Sequence, residues 1–116
     1  MFTSDDMDNV FHALAHKIRR EILDRLRDQP GSSVGKIASA FDVSRIAVMN
    51  HIAVLEQAGL VISEREGRTR RLYLNAVPIR QIQERWIDTH TSEQAGRLTA
   101  IKHAAEAYAK RRKDNE

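Results

Sequence analysis

The sequence predicts a mainly α-helical chain with one small β-hairpin. Three observations carry that reading: apolar residues recur at helical spacing through most of the 116 residues, turn residues punctuate them, and β-compatible runs occur only in one short stretch. Hydrophobic residues make up 41% and charged residues 30%, enough for a modest core and outside the disordered range. The length fits one domain spanning residues 1–116.

Each element follows in order. Ser4 or Asp5 is placed to cap a first helix carrying Met7, Val10, Phe11 and Leu14, ending near Ala15. Ile18, Ile22, Leu23 and Leu26 form the face of a second helix, stopped by Asp28-Gln29-Pro30-Gly31. Ser33 caps a short third helix with Ile37, Ala38 and Phe41 on one face. Asp42-Val43 leaves room only for a sharp turn, and Asp tolerates the left-handed backbone such turns often use. Ser44 caps a fourth helix that stops at Ala58-Gly59, Gly59 suiting its C-terminal cap.

Val61–Arg65 and Arg70–Leu74 then read as strands around Glu66-Gly67-Arg68. Pro78 suits the first turn of a further helix with Val77, Ile79, Ile82, Trp86 and Ile87. Thr91 and Gln94 form a capping-box pattern that restarts a last helix along Leu98, Ile101, Ala105 and Tyr108. Two helices are expected here, with one bent helix as the alternative. Two helices joined by a short turn and followed by a hairpin make a winged helix-turn-helix: residues 33–58 the helix pair, 61–74 the wing.

That arrangement points to double-stranded DNA as partner. Stepping 100° per residue along the fourth helix puts Ala47, Val48, His51, Ile52, Val54, Leu55 and Ala58 inward. Arg45, Ile46, Met49, Asn50, Ala53, Glu56 and Gln57 face outward. Arg45 suits guanine O6 and N7, Asn50 suits adenine, and Ile46 and Met49 suit thymine methyls. Ser44 can cap the helix and touch phosphate, and Lys36 can add a backbone contact. His51 reads as a packed side chain. Arg65, Arg68, Arg70 and Arg71 fall within the wing, and strand alternation prevents all from pointing one way. Arg68 at the tip and Arg70 beside it are the expected phosphate or minor-groove contacts. The outer face of the fourth helix is apolar and lacks Lys, so a protein-interaction module is the alternative.

Other classes find little support. There is no cysteine, hence no thiolate metal site, disulfide or cysteine nucleophile. Phosphate-binding glycine loops, paired-carboxylate motifs and nucleophile elbows are absent from the sequence, so no enzyme and no cofactor are expected. The net charge of +3 is mild, and the acidic N-terminus is not a secretory signal; a cytoplasmic protein without a membrane partner is expected. The first helix and the helices over 78–112 carry more apolar surface than a small winged domain buries. A homodimer packed through residues 4–15 and 78–112 would cover it.

HALAHKIRREILDRL, VGKIASAF-DVS, AVMNHIAVLEQAGLV and REGRTRRLYLN resemble the ArsR/SmtB family of bacterial winged-helix repressors, over about residues 7 to 90. The resemblance implies a homodimeric transcriptional regulator reading a palindromic operator. Many members have Gln, Ser and Lys where this chain has Arg45, Met49 and Asn50, so the operator does not carry over. Cysteine-type metal sensing is excluded by Gly35, Lys36 and Ile37 at the ligand positions. The family's other metal site, an Asp-x-His and a His-x-x-Glu, has candidates in Asp88, His90, His103 and Glu106. The family's Asp-x-His follows the second wing strand directly, near Asn75–Val77, and the 13 residues from His90 to His103 turn a straight helix by about 220°. No metal is therefore expected; a metal-responsive repressor stays as an alternative. A small-molecule inducer is a further partner the sequence leaves open.

Overall fold

The computed structural model describes residues 1–87 and 92–114, with side chains for 1–87 and 99–113. The element order is α1 (Ser4–Leu14), α2 (Lys17–Asp28), β1 (Ser32–Ser33), α3 (Val34–Ala38), α4 (Arg45–Gln57), β2 (Val61–Glu66), β3 (Thr69–Leu74), α5 (Val77–Trp86) and α6 (Ser92–Asp114). It is a mainly helical winged helix-turn-helix with a three-stranded antiparallel sheet ordered β1-β3-β2. The chain forms two compact units, Met1–Glu84 and Arg85–Glu116.

The core of the first unit gathers residues that helical periodicity singles out. Val10 of α1, Ile22 and Leu26 of α2, Ile37 of α3, and Val48, Ile52 and Leu55 of α4 meet Leu60, Val61 and Leu72 of the wing's root. The wing is thus anchored in the same core that fixes the helix pair, which sets its position beside α4.

Four details differ from expectation. Thr3, not Ser4 or Asp5, caps α1: its Oγ1 accepts from the Asp6 N–H at 3.1 Å while Asp6 Oδ2 accepts from the Thr3 N–H at 2.8 Å. This reciprocal capping box outcompetes a single cap one residue later, and the hydrogen bonds from Thr3 hold the Asp6 carboxyl below its usual range. α3 ends at Ala38, so Phe41 reaches the core from the following turn, under the Arg25 guanidinium at 5.5 Å. Asp42 does not use left-handed backbone: among described residues only glycines have positive φ. The longer turn that follows a five-residue α3 removes the need for it. Finally, both hairpin strands extend one residue further than expected, leaving a two-residue turn, Gly67-Arg68, with Gly67 at φ 62°.

α4 ends as Gly59 predicts. Gly59 takes φ 77°, its N–H donates to Glu56 O at 3.0 Å, and the Leu60 N–H donates to Leu55 O at 2.9 Å. This is a Schellman close, with buried Leu60 folding back on Leu55. Asn75 locks the exit of the wing: its Nδ2 donates to Gly59 O at 2.8 Å and its Oδ1 accepts from the Val77 N–H at 3.2 Å. In the second unit, every described side chain of α6 is exposed, including Ile101 and Tyr108. Helical segments α5 and α6 are separate elements; Thr91 of the expected capping box lies outside the described residues.

Candidate nucleic-acid interface

The outward face of α4 begins at Ser44, whose Oγ accepts from the Ala47 N–H at 3.1 Å. Capping leaves the first turn open to solvent. Arg45, Ile46, Met49 and Asn50 are all exposed, Ile46 by 72%, while Val48, Ile52 and Leu55 are buried. The helix therefore sorts by side as its periodicity predicts. An Ile this exposed costs apolar hydration, which contact with another surface would remove.

A cleft of about 390 Å³ runs beside this face. Ser33–Gly35 at the start of α3, Arg45 and Met49 of α4, and Arg68–Arg70 of the wing line it. Three arginines from two elements thus converge on one concave surface. Lys36 is exposed on α3, whose N-terminus is capped by Ser33 through Lys36 N at 3.1 Å, but its side chain is not part of the cleft lining.

Strand register divides the wing's arginines. Val61 pairs with Leu74, Ser63 with Leu72 and Arg65 with Arg70, so these six share the face rooted in the core. Arg71 points the other way, 3.4 Å from Glu66, with Nη1 donating to Gly31 O at 3.4 Å. Arg70 is held by Glu56 of α4, its Nη2 donating to Glu56 Oε1. Arg68 stands in the turn. Arg65 is exposed and, among the described residues, neither Arg65 nor Arg68 has an ion pair. Arg65, named in the sequence among the wing's arginines but not chosen as a contact, lies opposite Arg70 and is not part of the cleft lining.

The metal candidates stand apart from this surface in kind. His103 and Glu106 are exposed on α6, Glu106 lying 3.9 Å from Lys102. Asp88 and His90 lie outside the described residues. No group of three or more His, Asp or Glu suited to a metal ion occurs among the described residues. Nor, among them, is any helix long and apolar enough to cross a membrane.

Comparisons with known proteins agree with the geometry. A helix-turn-helix domain model matches residues 14–64. The chain is similar to an uncharacterized HTH-type transcriptional regulator of Bacillus subtilis (strain 168), YuzN: 36% identity over 87 residues, covering 70% of this chain and 95% of that one. It is also 36% identical over 62 residues to the transcriptional repressor SdpR of the same strain, covering 53% and 68%. Among solved structures, an ArsR-like transcriptional regulator from Rhodococcus sp. RHA1 superposes with a TM-score of 0.64 at 33% identity, covering 89% of this chain and 93% of that one.

Proposed function

The chain belongs to the ArsR family of winged helix-turn-helix transcriptional regulators, and from that membership we propose a homodimeric repressor that reads a palindromic operator. It is a DNA-binding regulator, not an enzyme. The observation that carries the finer reading is that Arg45 of α4 and Arg68 of the wing both line the cleft beside the open first turn of α4. Guanidinium groups on two rigid elements suit a base edge and a phosphate backbone together.

In this reading Arg45 and Asn50 pair with guanine and adenine edges, and Ile46 and Met49 cover thymine methyls. Ser44, Lys36, Arg65 and Arg68 contact the backbone. Likeness to a repressor supports repression as the outcome. Phe11 of α1, Trp86 and Ile87 in and after α5, and Ile101 and Tyr108 of α6 are exposed apolar residues, which supports association with a second copy. A two-fold pair would set two recognition helices in successive major grooves, about 34 Å apart. The expected setting is the cytoplasm, and a small-molecule inducer is a further partner this reading leaves open.

Two substitutions test the assignment. Arg45→Ala should relax discrimination between operator and unrelated DNA by about 1–3 kcal/mol. Arg68→Ala should weaken binding to all duplexes alike and lower the salt slope by about 1. Equal losses on specific and unrelated DNA for both variants would remove Arg45 as the reader. Binding that ignores salt would favour the protein-interaction alternative instead.

A further inference from the structure

Glu56 is placed oddly for a DNA-facing helix. It lies on the outer side of α4 and in its last turn, where a carboxylate opposes the negative end of the helix dipole. It adds negative charge next to a surface otherwise suited to phosphate. Its partner explains the position. The Arg70 guanidinium donates to Glu56 Oε1, joining residues 14 apart in sequence and two different elements. Both side chains are partly screened from solvent, at 28% exposure for Glu56 and 40% for Arg70.

The hairpin register supplies the second half of the argument. Arg65 and Arg70 are directly opposite on one face, an arrangement of like charges that disfavours the hairpin. Glu56 neutralises one of the two. On this basis we propose that Glu56 is a positioning residue: it holds the wing to the recognition helix through Arg70 and keeps Arg70 off the DNA backbone. The pair rests on the DNA-binding reading above and refines it. Arg70 lines the cleft as a strut, while phosphate contact falls to arginines without a carboxylate partner.

Salt dependence separates these roles, because the slope of log affinity against log salt counts phosphates neutralised and is insensitive to a general loss of packing. The experiment uses the full chain and a short duplex without an operator, with unfolding curves confirming that each variant is folded. Arg70→Gln should leave the slope of the wild type unchanged. Glu56→Gln keeps the shape, releases the guanidinium, and should steepen the slope by about 0.9 per chain. The double variant should return to the wild-type slope. A slope that falls by about 0.9 in Arg70→Gln would overturn the proposal, since Arg70 would then already contact phosphate. An unchanged slope in Glu56→Gln would overturn it equally. Should Glu56→Gln fail to fold, Arg70→Gln alone decides. A wild type with no salt-dependent binding would instead defeat the DNA-binding reading.

Discussion

The His51 imidazole turns inward from α4 and lies against His16, ring centroids 4.3 Å apart, close to Arg19 of α2. Burial, followed by the His16 and Arg19 charges, holds His51 below the ordinary histidine value. Arg19 is itself buried and, among the described residues, has no carboxylate partner; its Nε donates to Ala13 O at 2.9 Å and its Nη2 to His12 O at 3.2 Å. Those carbonyls belong to the C-terminal turn of α1, the negative end of its dipole, so the cation closes one helix from the next. His16 caps α2, Nδ1 accepting from the Ile18 N–H at 3.2 Å. The linkage has a definite sign. Because the folded state resists protonating His51, the unfolded state binds more protons as pH drops below about 6.5, and stability falls through that window. Thermal unfolding between pH 7.5 and 5.5 should show a falling midpoint in the wild type and a flatter profile in His51→Gln. Equal slopes in both would mean that His51 does not contribute.

At the scale of elements, the wing is only as well placed as its root. Leu72 is fully buried in β3, the central strand, against residues of the helical core. Leu72→Ala should cost about 2–5 kcal/mol of stability by chemical denaturation; a cost well under 1 kcal/mol would show that the wing is not anchored there. Elements with a strong local pattern are legible in the sequence. The inward and outward sides of α4 follow from 100° steps, and Ser33, Ser44 and Gly59 cap the helices they were expected to cap. What escaped depends on distant partners. Strand β1 is two residues long and exists through Ser32 and Ser33 pairing with Leu72 and Arg71, about forty positions away. The Glu56–Arg70 pair is invisible for the same reason: Glu56 reads as one more exposed residue until the hairpin is folded against it. The Arg65–Arg70 pairing, by contrast, already follows from the expected strands Val61–Arg65 and Arg70–Leu74.

At the scale of the whole molecule, each of the two units has exposed apolar residues among those described. Trp86 is 64% and Tyr108 is 65% exposed, with Phe11 and Ile101 also open to solvent. The proposed second copy would cover such surface. Whether α4 reads sequence from a paired molecule is decided by one titration. Fluorescence anisotropy would follow binding to the duplex upstream of the protein's own gene and to scrambled DNA of equal length, at about 0.15 M salt, where long-range attraction is screened. A sequence-reading pair should bind the native fragment about 10³-fold tighter, with two chains per duplex at saturation. Equal and weak binding to both duplexes would contradict that reading.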